Sequence, residues 1–264
     1  MRYIRLVNII AIAVFFCVFS EPVKAKLSLE MDLASDHVDI TTGFNGAPLY
    51  VYGTINSLVA GRKAIEDENM TLAIVVKGPG KTVIVRRKEQ IMGMWMNRTA
   101  LEFQNVYSFY DLATNRPVSE FENKQVLNIE DIGLNYLDFH AGRDDQNIEQ
   151  TLISTFREAL IQNKQNAGLY ALREKAIDFP APGFFKAKFN VPPNVPTGKY
   201  QIKGYLFEDG ELADTKTLNL KVAQIGMNAE IYKFAYQQTL LYGFAAVLFA
   251  LVLGWSAHAF LRHD

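Results

Sequence analysis

The chain of 264 residues predicts a mainly-β fold with a helical insertion, an immunoglobulin-like β-sandwich ectodomain plus one C-terminal transmembrane helix. Three observations predict it. Short stretches of alternating polarity recur through the first hundred residues and again after residue 184. A block with helical spacing lies between them, and an uninterrupted apolar run closes the chain.

The N-terminal stretch is expected to be removed. Arg2 and Arg5 precede an apolar run, Leu6–Phe19, broken only by Asn8, and Val23-Lys24-Ala25 offers small or modest side chains for a signal peptidase. The run is short of the ~20 residues that cross a bilayer as a helix. Residues 1–25 are therefore read as a signal peptide and 26–225 as the exported domain. Cleavage takes away Arg2, Arg5, Lys24 and Glu21, which leaves 24 basic and 27 acidic residues. A net charge of −3 gives no general attraction to nucleic acid. The single cysteine, Cys17, leaves with the signal, so a mature disulfide, thiolate metal site or cysteine nucleophile is excluded.

The first strands follow from period-two patterning. Leu27, Leu29, Met31 and Leu33 alternate with Ser28, Glu30 and Asp32, and Val38–Thr41 repeats the pattern. Gly43-Phe44-Asn45-Gly46 turns the chain into Leu49–Ile55. Thr71–Val76 and Thr82–Val85 flank Lys77-Gly78-Pro79-Gly80-Lys81, whose Gly and Pro residues suit a hairpin loop. Ile91–Asn97 and Leu101–Val106 add one or two strands.

The middle reads as helix. Ile129–Phe139 fits a short one, and Gln146–Ala167 a longer one, with Ile148, Leu152, Phe156, Ala159 and Leu160 at helical spacing and Gly168 as a stop. Strands resume at Phe184–Val191, Tyr200–Phe207 and Thr215–Val222. Three strands do not readily make a sandwich alone. They are expected to join the N-terminal strands in one sandwich, with about 110–180 as a mostly helical insertion; two packed domains are the alternative.

Residues 226–239 read as a juxtamembrane linker, 240–261 as a transmembrane helix and 262–264 as a cytoplasmic tail. Leu240–Leu261 holds no Asp, Glu, Lys or Arg and spans roughly 33 Å, enough for a ~30 Å hydrocarbon core. Tyr232, Tyr236 and Tyr242 near one end and Trp255 near the other suit the two interfaces. Arg262 on the cytoplasmic side agrees with the positive-inside tendency.

Several strings resemble the putative alphaproteobacterial transmembrane protein family. They are Ile40-Thr41-Thr42-Gly43-Phe44-Asn45-Gly46, Val75-Val76-Lys77-Gly78-Pro79, Val85-Arg86-Arg87-Lys88 and Gly93-Met94-Trp95-Met96-Asn97. Ser108-Phe109-Tyr110, Thr114-Asn115-Arg116-Pro117, Phe156-Arg157-Glu158-Ala159-Leu160-Ile161 and Val195-Pro196-Thr197-Gly198-Lys199-Tyr200 continue the match in order. The resemblance implies a single-pass protein of the bacterial inner membrane, its domain in the periplasm and its C-terminus in the cytoplasm. It implies no activity. Members are often encoded beside permeases resembling sulfite exporters, which points to an integral-membrane transporter as partner.

Candidate chemistry is sparse. Gly78-Pro79-Gly80-Lys81-Thr82 ends like a phosphate-binding loop, but Val75 stands where the first Gly belongs, and a strand rather than a helix should follow. Met92, Met94 and Met96 alternate, so in a strand they share a face. Clustered thioethers can hold a soft ion such as Cu(I), yet with no nearby His or Cys the expected role is a core face. His37 with Asp39, and His140 with Asp138, are two more weak metal pairs, expected at solvated edges. The most suggestive group is basic and aromatic: Arg86, Arg87, Lys88, Trp95, Asn97, Arg98, Tyr107, Tyr110 and Arg116. Arginine forks and aromatic edges suit an oxyanion, a peptide or the headgroup side of a partner.

The chain is therefore expected to be a membrane-anchored periplasmic binding or accessory protein rather than an enzyme, with no cofactor. The alternatives are a periplasmic soft-metal or oxyanion sensor or scavenger and, second, an enzyme of a type the sequence does not disclose.

Overall fold

The structure, a computed structural model, describes residues 27–57, 70–142, 150–225 and 234–261. The expected signal peptide, Tyr232 and the tail 262–264 lie outside the described residues. Thirteen strands are described: β1 (Leu27–Leu33), β2 (His37–Ile40), β3 (Ala47–Ser57), β4 (Met70–Lys77), β5 (Gly80–Ile91), β6 (Met94–Tyr107), β7 (Tyr110–Thr114), β8 (His140–Ala141), β9 (Tyr170–Arg173), β10 (Ile177–Ala181), β11 (Phe184–Val191), β12 (Gly198–Glu208) and β13 (Glu211–Gln224). The described α-helices are α1 (Lys124–Ile129), α2 (Gln150–Asn166) and α3 (Thr239–Leu261), with 3-10 turns at Val118–Glu120 and Leu134–Tyr136.

The expected mainly-β fold with one C-terminal apolar helix is what the structure shows. One sheet runs β1-β3-β11-β10 and a second runs β2-β13-β12-β4-β7-β9; β5, β6 and β8 form a third. Chain-distant strands interleave, since β3 pairs with β11 and β4 with β12, both antiparallel. Leu29, Val51, Phe185 and Phe189 of the four-stranded sheet meet Leu72, Ile74, Val76, Ile202 and Leu206 of the six-stranded one in the first core. The two sheets come close at Gly204, where any Cβ would overlap the Met31 sulfur.

The central strands are covered on both faces. In β4 the residues between those of the first core, Ala73 and Val75, belong to a second core with Tyr205, Phe103, Leu127, Phe139, Phe156 and Leu160. This explains why Leu72–Val76 reads as a continuous apolar run rather than an alternating one. All eight residues of β4 are buried.

The helical insertion is smaller than expected. Tyr110–Thr114, Tyr170–Arg173 and Ile177–Ala181 are strands of the two sandwich sheets, so helix is confined to the stretch between them. Their short runs pair in parallel (β7 with β9) or through an irregular register (β10 with β11), which leaves little alternation to read. A continuous helix over Ile129–Phe139 does not form either; within it, past Ile129, only a 3-10 turn, Leu134–Tyr136, is helical. Its helix ends at Ile129, because Asp131 at φ 53° and Gly133 at φ 110° break the ladder. α2 ends as its sequence indicates: Gly168 takes φ 70°, and the Gly168 and Leu169 amides close back on Gln165 and Lys164.

Candidate functional site

The feature that sets this domain apart is a long ribbon. β4 pairs antiparallel with β7, and both strands continue past Gly78-Pro79 and Ser108-Phe109 into β5 and β6. The join keeps its ladder: the Gly78 amide donates to the Phe109 carbonyl at 2.8 Å, and the Ser108 amide to the Pro79 carbonyl at 3.0 Å. The segment Lys77–Lys81, expected to be a hairpin loop, is thus a passage from sheet to arm. The hairpin loop is further on, at Met92-Gly93, where both residues take positive φ (50° and 82°) and Ile91 pairs with Met94. This is the backbone of a two-residue hairpin turn that matches strand twist.

Register sorts the arm's side chains. Val83 and Val85 pair with Phe103 and Leu101 and pack into the second core. Next on that face, Arg87 stands over the Phe156 ring at 6.0 Å and donates to Glu89 at 2.6 and 3.1 Å; Arg98, at a bulge, reaches the same carboxylate at 3.4 Å. Beyond Arg87 the arm outruns what covers it. Met92 is 96% exposed, Met94 64%, Trp95 69% and Met96 50%. The expected core face for the three methionines is therefore a correction: Met92 sits in the turn, Met94 and Met96 share a face with Glu89 and Ile91, and none is in a core.

Of the basic and aromatic group, the structure brings together Arg86, Arg87, Lys88, Trp95, Asn97 and Arg98 on the exposed arm. Arg86, Lys88, Trp95 and Asn97 fall on one face by register, and Arg87 on the other. Tyr110 and Arg116 are not part of this surface. Tyr110 is fully buried, and Arg116 borders a small pocket of about 190 Å³ with Thr71, Glu120, Phe207 and Asp209 at the opposite end of β4.

Tyr110 belongs instead to a polar network at the root of the arm. Its hydroxyl accepts from the Gly133 amide at 2.8 Å and donates to the Asp131 carbonyl at 2.8 Å. The Asp131 carboxylate accepts from the Tyr107 hydroxyl at 2.7 Å and faces the Lys77 ammonium at 3.4 Å. Lys77 also donates to the Glu130 carbonyl at 2.6 Å, and the Glu130 carboxylate accepts from Tyr205 at 2.7 Å and Lys203 at 3.1 Å. Burial lowers the Lys77 ammonium's pKa, against the pull of Asp131. Burial would raise Glu130, but its bonds to Tyr205 and Lys203 outweigh it and the net shift is downward. Tyr107, Tyr110, Tyr170 and Tyr205 are all pushed up, first by burial, so none supplies a phenolate base at neutral pH. The network holds the 118–139 segment on the sheet.

A cleft of about 640 Å³ opens beside it, lined by Gly80, Asn105, Tyr107, Asn128, Ile129, Asp131, Asp138 and His140. Asn105 and Asp131 both hold positive φ there, at 57° and 53°, the kind of backbone outlier that collects at binding sites. His140 and Asp138 do share this cleft. His37 is elsewhere, exposed, with Asp36 at 2.9 Å and Asp39 at 3.7 Å. Among the described residues no three His, Cys, Asp or Glu side chains are placed to hold a metal ion. Sequence reasoning missed Lys77, Glu130, Asp131 and Lys203; the available signal was a lysine ending an otherwise apolar buried strand.

The class follows from these parts: a mainly-β domain joined to one helix, Thr239–His258, long and apolar enough to cross a membrane, with a mean hydropathy of 2.0 and no part of it buried by the described residues. Comparison with family profiles agrees over residues 28–263, where the chain matches the family described as "Putative transmembrane protein (Alph_Pro_TM)", and the chain belongs to that family. A comparison with curated proteins found no match.

Proposed function

We propose that this chain is a membrane-anchored accessory protein. In this reading the signal directs export, α3 holds the chain in the inner membrane beside an integral-membrane transporter, and the β domain works in the periplasm. The observation that carries it is the arm. Exposed apolar and basic side chains are concentrated on one preformed hairpin, whose base is fixed by the second core. A rigid element presenting Trp, Met and Arg is what a contact surface requires. The braced network and the raised phenols favour binding over catalysis.

Affinity capture of the full chain from mild detergent tests this. A stoichiometric integral-membrane partner is expected, and recovery of the chain alone would sink the reading. A reporter fused after Asp264 is expected to be active only in the cytoplasm; periplasmic activity there would overturn the orientation.

A further inference from the structure

The arm is more than a generic contact surface, because its polarity changes along its length rather than between its faces. At the tip, Met92 occupies the turn, Met94 and Met96 lie on one face and Trp95 on the other. Behind them Arg86, Arg87, Lys88 and Arg98 form a collar against a single carboxylate, Glu89. Glu89 is shared by Arg87 and Arg98, while Arg86 and Lys88 make no ion pair among the described residues. A protein groove that takes a strand matches one face of it. An end with apolar side chains on both faces and in its turn, Gln90 beside Trp95 being the polar residue among them, with a basic collar behind, matches a solvent that surrounds it: the acyl boundary of a bilayer, with anionic headgroups above.

Two further observations place a bilayer within reach. The arm leaves the six-stranded sheet at the end where Lys77 pairs with Gln201, and Gly198, packed against Pro79, pairs there with Val222. β13 therefore ends at the arm's root, so the chain departs toward α3 from the end of the sheet that carries the arm. The 14 residues 225–238 between β13 and α3, of which 234–237 are helical, allow at most about 40 Å of separation, and the 12 residues of β5 span roughly 40 Å.

Resting on the reading of the arm as a contact surface, we propose that the β5–β6 tip docks on an anionic lipid surface. Trp95 and the three methionines enter the headgroup–acyl boundary, and Arg86, Arg87, Lys88 and Arg98 engage phosphate groups. The outer backbone edges of a two-stranded ribbon are unpaired, which limits entry to headgroup depth, where water still reaches them. The tip would thus fix the domain's orientation over the membrane beside whatever α3 contacts.

The chain has two tryptophans, so the full-length Trp255→Phe variant reports on Trp95 alone. It is reconstituted into vesicles of phosphatidylcholine with one-third phosphatidylglycerol, or phosphatidylcholine only, each with acyl chains brominated near the headgroup. Blue-shifted Trp95 emission and quenching at least about threefold stronger in the anionic vesicles are expected, the excess being lost in Arg86→Gln/Lys88→Gln. Water-like, unquenched emission in both vesicles would overturn the proposal, and equal quenching in both would overturn the anionic surface. A photoreactive residue replacing Met92 supplies an independent readout in native membranes. A lipid adduct supports docking. A protein adduct overturns it while leaving the accessory role standing; conversely, a lipid adduct with no captured partner sinks the accessory role and not the docking.

Discussion

One antiparallel ribbon meets two fates in this molecule. Its β4–β7 half is covered on both faces, so it carries Leu72, Ile74 and Val76 toward one core and Ala73 and Val75 toward the other. Its buried charges are paired: Asp111 is held by Arg173 through two contacts of 3.0 and 2.9 Å, and Lys77 by Glu130 and Asp131, while the buried Thr114 hydroxyl has no hydrogen-bond partner among the described residues. The distal β5–β6 half repeats the same backbone pairing but leaves Met92, Met94 and Trp95 in solvent. Pairing alone does not bury a strand. What packs on its faces decides whether an apolar residue is structure or surface, and the last such cover along the arm is Phe156 of α2.

If the root is bracing, removing its hub should cost most. Asp131→Ala leaves the buried Lys77 ammonium and the Tyr107 hydroxyl short of their acceptor, and is expected to lower stability by about 3–5 kcal/mol in urea unfolding of the full chain in detergent. Met92→Ser or Trp95→Ser at the tip should stay within about 0.5 kcal/mol of the parent. Comparable losses at root and tip would erase the contrast.

The next effect is a pH dependence. Burial pushes Asp111 up to about 6 from 3.8, despite Arg173, so the folded chain keeps a proton that the unfolded chain releases. The stability this group contributes is present below pH 3.8 and lost as pH rises through about 6. It amounts to about 3 kcal/mol at most. Asp111→Asn should flatten the unfolding free energy across that window, and an unchanged slope would remove Asp111 as its source.

Packing between the sheets should give a smaller loss. Gly204→Val forces a side chain into Met31 and is expected to cost about 2–3 kcal/mol in the same assay. The smallest change should have the opposite sign. Met92→Gly relieves a positive φ in the arm's turn and is expected to add about 0.5–1 kcal/mol of stability, seen as a later urea midpoint. Loss of stability there would show that Met92 packs on something despite its exposure.

Much of the fold was legible because it depends on local periodicity. The alternation of Leu27–Leu33, the spacing of Phe156 and Leu160 and the apolar run of α3 each report a buried face of a single element. The strands at Tyr110–Thr114 and Tyr170–Arg173 were illegible for the complementary reason. They are five and four residues long, and β7 is buried throughout, so neither shows a period. At the site, the composition of the arm was readable from Val85-Arg86-Arg87-Lys88 and Gly93–Asn97, but its exposure was not. Methionines alternating beside a tryptophan look the same whether or not another element covers them. Tyr110 and Arg116 were grouped with them by sequence proximity, and the ribbon carries Tyr110 into the core and Arg116 to the far end of β4.

The sequence by itself determined the elements that local chemistry encodes: a β-rich domain, a mid-chain helix stopped at Gly168 and an apolar helix of membrane length. Hydrophobic periodicity and backbone preference act within a few residues, and those elements need nothing more. Only the tertiary structure decided that the Met and Trp residues stand beyond the core, and that Lys77, Glu130, Asp131 and Tyr205 form one network. Both are questions of which distant segments meet, and burial belongs to the meeting, not to either segment alone.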